Sequence, residues 1–88
     1  MTPAERRALM ARAHRLDPVV MIGGKGLTDA VIAEIDRALK SHELIKIRAP
    51  AMERDDRAAA AREICARTGA ELVQQVGKIF VLFRKNAD

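Results

Sequence analysis

The run Val19-Val20-Met21-Ile22 opens directly into Gly23-Gly24-Lys25-Gly26 and then Leu27-Thr28, and no other stretch of the chain restricts its fold as strongly. Four β-leaning apolar residues predict a short buried strand, and three glycines within four positions predict a loop with unusual backbone angles. Thr28 has the chemistry of a helix N-cap. Beyond it come Asp29 in the first turn and Val31, Ile32, Ile35, Ala38 and Leu39 at helical spacing, so a second helix is predicted over about Asp29 to Ser41. A strand, a glycine loop and a helix start in this order bring unpaired backbone N–H groups and the positive end of a helix dipole to one place. Such a place suits a phosphate. Lys25 would add a full positive charge, and the missing side chains would let the anion reach the backbone.

The loop is not a nucleotide-binding signature, because neither G-x-x-x-x-G-K-[ST] nor G-x-G-x-x-G is matched. Gly23-Gly24-Lys25-Gly26 does match G-x-x-G, the pattern with which K-homology domains clamp a nucleic-acid backbone. Those four residues by themselves are equally compatible with an ordinary tight strand-to-helix connection.

The remaining elements follow from local chemistry. Thr2, Pro3 and Glu5 form a capping box with proline at the first helical position. This predicts a first helix to about Leu16, with Leu9, Ala13 and Leu16 inward and Arg7, His14 and Arg15 on the far side with Ala11. Asp17-Pro18 ends it. Leu44 to Arg48 predicts a strand with Ile45 and Ile47 on one face and a basic outer face of Lys46 and Arg48. A third helix is expected from a cap at Asp55 or Asp56, with Ala61, Ile64, Cys65 and Thr68 inward and Gly69 as its left-handed stop. Ala70 to Val76 and Ile79 to Arg84 flank Gly77-Lys78, which predicts a hairpin closed by a type II′ turn with Lys78 at its solvent-facing tip. Phe80 and Phe83 should point to opposite faces of a strand covered on both sides. The predicted order is α-β-α-β-α-β-β: one α+β domain over residues 1–88, a mixed four-stranded sheet packed with three helices.

Composition narrows the function. The 88 residues are 49% apolar, enough for one modest core. The chain has no 18-residue apolar run that could span a membrane, and its charged, amphipathic N-terminus is unlike a secretory signal, so a cytoplasmic protein without membrane contact is expected. The net charge is +4. It divides as +3 over residues 1–28, −2 over 29–56 and +3 over 57–88, which favours a polyanionic partner. A lone cysteine, Cys65, and two distant histidines, His14 and His42, provide no metal-ligand spacing, and Cys65 is expected as a buried, inert thiol. His42 is expected to meet a helix dipole. No nucleophile motif or paired-acid arrangement assembles, so neither catalysis nor a cofactor is expected. Aromatic content is 2%, both residues phenylalanine in a core-like strand, so recognition should rest on backbone and shape, with weak sequence preference and strong salt dependence.

Taken together, several stretches resemble the CRM domain, the RNA-binding module of chloroplast splicing factors and of small bacterial YhbY-type proteins. They are His14-Arg15-Leu16-Asp17-Pro18-Val19-Val20, Ile22-Gly23-Gly24-Lys25-Gly26-Leu27-Thr28, His42-Glu43-Leu44-Ile45-Lys46-Ile47, Thr68-Gly69-Ala70, and Val76-Gly77-Lys78 with Val81-Leu82-Phe83-Arg84. Asp17 stands where the family commonly has a basic residue, and Phe83 where it commonly has tyrosine. The resemblance implies the same α-β-α-β-α-β-β order, a fold similar to the C-terminal domain of translation initiation factor three, and RNA contact through the G-x-x-G loop. It also implies a stand-alone bacterial protein associated with ribosomal RNA in precursors of the large ribosomal subunit. The expected RNA-contacting set is Gly23, Gly24, Lys25, Gly26 and Thr28, supported by Arg7, Arg15, Lys46 and Lys78, in a monomer. Lys25 and the amides of Gly24 and Gly26 are expected to hold phosphate. The competing reading is a protein-interaction module that docks on a ribosomal protein and touches RNA only incidentally.

Overall fold

A computed structural model describes residues 1–86; residues 87 and 88, the last two of the expected domain, lie outside the described residues. The order is α1 (Pro3–Ala13), β1 (Pro18–Met21), α2 (Asp29–His42), β2 (Leu44–Arg48), α3 (Arg54–Thr68), β3 (Glu71–Val76) and β4 (Ile79–Phe83). The strands form one sheet in the order β1-β2-β4-β3, with β1 parallel to β2 and β4 antiparallel to both neighbours. Helices α2 and α3 cover one face, where Ile35, Leu39 and Ile64 meet Ile45, Ile47, Phe80 and Leu82. Helix α1 covers part of the other face, setting Leu9 and Ala13 against Leu44, Val73 and Val81. Arg6 fastens α1 by donating to the Leu72 and Val73 carbonyls, where β3 shifts register against β4.

The caps explain the helix boundaries. The Glu5 N–H donates to the Thr2 hydroxyl at 3.1 Å and the Thr2 N–H to the Glu5 carboxylate at 3.3 Å, which completes the capping box. That pairing also holds the Glu5 carboxyl below its usual range. Helix α1 stops at Ala13 rather than Leu16. The N–H groups of Arg15 and Leu16 turn back three residues, to Arg12 and Ala13, and Leu16 is left exposed as the chain bends toward Pro18. Helix α3 begins earlier than expected, with Glu53 at the cap position and no side-chain cap bond. Asp55 and Asp56 therefore stand in its first turn, where their charges face the positive helix end. His42 closes α2 and is exposed. Gly69 has φ +76 as the left-handed stop, and Thr68 donates its hydroxyl to the Ile64 carbonyl. Cys65 is half-buried rather than fully buried, and desolvation raises its thiol, which keeps it protonated.

One feature of the sheet departs from expectation, the exposure of β1, and one meets it, the covering of β4. β1 is an edge strand, so only Val20 and Ile22 are buried while Val19 and Met21 stay exposed. β4 is inserted between β2 and β3 and is covered on both faces, with Phe80 inward toward α2 and α3 and Phe83 toward α1.

Arg84, just past β4, closes the fold. Its guanidinium donates to the Asp36 carboxylate at 2.6 Å, the Thr68 carbonyl at 2.7 Å and the Asp36 carbonyl at 3.2 Å, joining the sheet's end to α2 and α3. Asp36 is about a third exposed, which screens the pair, so Arg84→Ala is expected to cost about 2 kcal/mol of stability in chemical denaturation. The bond from Arg84 holds the Asp36 carboxyl below its ordinary range. A depressed folded-state value means that this contribution is present above the ordinary carboxylate value and lost as pH falls through the folded one. The stability gap between the native protein and Asp36→Asn should accordingly close on acidification.

Candidate nucleic-acid interface

β1 and β2 end on the same side of the sheet, β4 starts there, and the β3–β4 hairpin turns there. The Ile22 N–H donates to the Arg48 carbonyl at 2.8 Å, and the Ala49 N–H to the Lys78 carbonyl at 2.7 Å. The glycine loop, the end of β2 and the hairpin tip are thus held side by side. Their span is two to three strand spacings, roughly 10–15 Å. Across this end runs one row of paired residues, Met21–Arg48–Ile79–Val76, on the face that α1 only partly covers.

Within the loop, the Gly26 N–H donates to the Gly23 carbonyl at 3.0 Å, closing a tight turn, and Gly26 alone of the three loop glycines has positive φ, +76. The expectation that the Gly26 amide holds phosphate therefore needs correction, because the turn consumes that donor. The amides of Gly23, Gly24 and Lys25 have no hydrogen-bond partner among the described residues. Thr28 acts as the α2 cap, its hydroxyl accepting the Val31 N–H at 3.2 Å. Gly23 and Gly24 have neither positive φ nor any atom within 4 Å of where a Cβ would stand. Nothing within the fold requires glycine at these two positions.

Two banks of opposite charge flank the loop. Toward α3, a groove lined by Gly26, Leu27, Met52 and Ala60 also carries Asp56 and Glu63. Arg67 on the same side bridges Asp29 at 2.6 Å and Glu63 at 3.4 Å, and the bond from Asp29 raises its guanidinium pKa further. Toward the sheet, Lys25, Arg48 and Lys78 are exposed and unpaired among the described residues, and half-buried Lys46 stands one position further down the same face of β2. Of the predicted set, Lys25, Lys46 and Lys78 sit on neighbouring segments at this end of the sheet. Arg7 shares a flank of α1 with Met10 and His14, at i, i+3 and i+7, further back on that face. Arg15 lies in the turn that precedes β1, at the opposite end of that strand from the loop. Arg48 stands beside the loop at the end of β2 and was not among the predicted members of the site. The one sequence signal for it was its alternation with Ile47 on β2.

The profile of the CRS1/YhbY (CRM) domain family matches residues 1–84. The chain belongs to that family. As a CRM domain it is 42% identical over 86 residues to a Pseudomonas aeruginosa protein named as a probable RNA-binding protein, covering 98% of this chain and 83% of that one. It is 40% identical to an RNA-binding protein of Haemophilus influenzae, covering all of this chain and 89% of that one. The solution structure of a Staphylococcus aureus protein, described as a candidate RNA-binding protein, superposes with a TM-score of 0.87 at 33% identity, over all of this chain and 92% of that one. This CRM domain shares the three-helix, mixed four-stranded α+β fold with that structure. Among its described residues no helix is long and apolar enough to cross a membrane, and no group of three or more His, Cys, Asp or Glu is placed to hold a metal ion.

Proposed function

We propose that this CRM domain is a non-catalytic, monomeric, cytoplasmic RNA-binding protein that grips the RNA backbone at the Gly23–Gly26 loop and acts on ribosomal RNA in large-subunit assembly. One observation carries the reading. Two glycines that the fold does not need sit beside unpartnered amides and a bank of free cations. Phosphate would be received by the amides of Gly24 and Lys25 and by the Lys25 ammonium, while Asp56 repels it from the α3 side toward Arg48 and Lys78. Association with large-subunit precursors belongs to the family reading and forms part of this proposal.

Salt tests backbone contact against protein docking. Four phosphate contacts, by Lys25, Lys46, Arg48 and Lys78, give a log–log slope of roughly −3 to −4. Affinity for a structured ribosomal RNA fragment should then fall roughly 50- to 150-fold between 50 and 200 mM salt. A module docking on a ribosomal protein through apolar surface would keep its affinity over that range.

The glycines supply a second expected result. Gly23→Ala and Gly24→Ala meet no neighbour and no forbidden φ, so stability should stay level or rise by about 0.4–1 kcal/mol through the unfolded chain's lost freedom. RNA affinity should nevertheless fall several-fold. Denaturation and filter binding on the same variants check both halves, and retained affinity would detach the loop from the mechanism.

A further inference from the structure

Next to the row at the sheet's end lies a hollow of about 180 Å³ between α1 and the sheet, lined among others by Met10, His14, Lys46, Gln74, Val76 and Ile79. At about 30 Å³ per water molecule, that is room for one flat heterocycle. Its floor is apolar: Met10 and Ile79 pack there on the α1-side core, and Val76 keeps 57% of its surface exposed. Its rim is cationic or neutral, with no carboxylate among the lining residues. His14 offers an exposed aromatic ring, and the Gln74 amide has no hydrogen-bond partner among the described residues.

We propose that this hollow accepts an unpaired base of the RNA whose phosphates are held by Lys25, Arg48 and Lys78. The inference rests on the backbone-gripping reading and extends it from phosphate to base. Charge complementarity selects the occupant. An apolar floor beside His14 and Lys46, with Arg48 and Lys78 next to it at the sheet's end, suits a ligand that carries a flat apolar ring on an anionic chain, and a single-stranded nucleotide is such a ligand. The imidazole of His14 supplies a stacking face in a chain with no tyrosine or tryptophan. The Gln74 amide, a donor and an acceptor side by side, can pair with a base edge, and adenine presents a matching set. Base-paired RNA cannot enter, because its bases are already stacked and paired. The hollow thus confers a preference for loops, bulges and ends, and for some bases over others, where composition alone predicted little.

The test compares a single-stranded RNA oligonucleotide, the same strand with one abasic position scanned along it, and an RNA duplex of equal length, at fixed salt. The doubly substituted protein His14→Ala, Gln74→Ala is expected to bind the single strand about tenfold more weakly and the duplex nearly unchanged. Differences among homopolymers should flatten. The strand whose abasic position falls in the hollow should bind native and variant protein alike. Both positions lie off the core, and Val76→Ser offers a third substitution at an exposed site. Equal loss on strand and duplex, or loss on neither, overturns the proposal; the second result is also what a protein occupant of the hollow would produce. Lys25→Glu keeps the two ideas apart. If it weakens binding to both RNAs while the double variant weakens neither, the backbone grip stands and the base hollow falls. If it weakens neither while the double variant loses the single strand, the hollow stands without the loop.

Discussion

Lys25→Glu is expected to weaken binding to structured ribosomal RNA by roughly 10- to 100-fold near physiological salt, and to flatten the salt dependence by about one unit of log–log slope. Lys25 is the one long side chain in the loop, it is exposed, and it has no partner among the described residues, so its loss leaves no buried group unsatisfied. The loss removes a charge-assisted phosphate contact worth about 1.5–3 kcal/mol. Glutamate then places an anion beside the same phosphate, with Asp56 already on the neighbouring bank. Lys25→Ala should show only the first of these losses and fall between the native protein and Lys25→Glu. Binding isotherms at three or more salt concentrations, with circular dichroism to establish folding, separate lost affinity from lost structure. Unchanged affinity in a folded Lys25→Glu protein would remove the loop from RNA binding.

Local chemistry made much of this legible. Thr2 and Glu5 fix the α1 start, and Thr28 fixes the α2 start. The β2 limits, Leu44 and Arg48, follow from alternation, and Gly77 with φ +56 followed by Lys78 without positive φ fits the expected type II′ turn. What could not be read depends on partners distant in sequence. Burial of β1 was expected from four consecutive apolar residues, but burial depends on strand order, and β1 lies at the sheet edge. Glu43 takes φ +61 at the α2 exit, an uncommon conformation for a non-glycine residue; the Arg84 N–H donates to its carbonyl and the Asn86 N–H to its carboxylate, partners about forty residues away. The site divides along the same line. Its glycines form a local pattern, whereas the approach of Arg48 to that loop requires β2 to pair with β1, and that of Lys78 requires β4 to pair with β2. For the same reason Arg15, which shares a helical period with the basic stripe of α1, is carried away from the site by the turn into β1.

That pairing can be attacked directly, and Phe80→Ala is expected to have the largest effect on stability of any single substitution considered. Phe80 is fully buried in the central strand, opposite Ile47 on β2, and faces the α2–α3 layer. Truncation removes the apolar transfer term and leaves a void that helices fixed at Thr28 and Gly69 can close only in part, a loss of about 3–5 kcal/mol. An 88-residue domain has roughly 4–13 kcal/mol in total, so the variant should lose a large share of its stability and much of its denaturation midpoint, with the denaturant slope unchanged. The consequence for RNA separates scaffold from site. Phe80 faces the α2–α3 layer, opposite to the sheet face that carries Lys46 and Arg48, so the fraction that remains folded should bind RNA with native affinity, and apparent affinity should fall only with the folded population. Native stability in the Phe80→Ala protein would contradict the insertion of β4 between β2 and β3, and with it the contact that brings the Lys78 hairpin tip alongside the glycine loop.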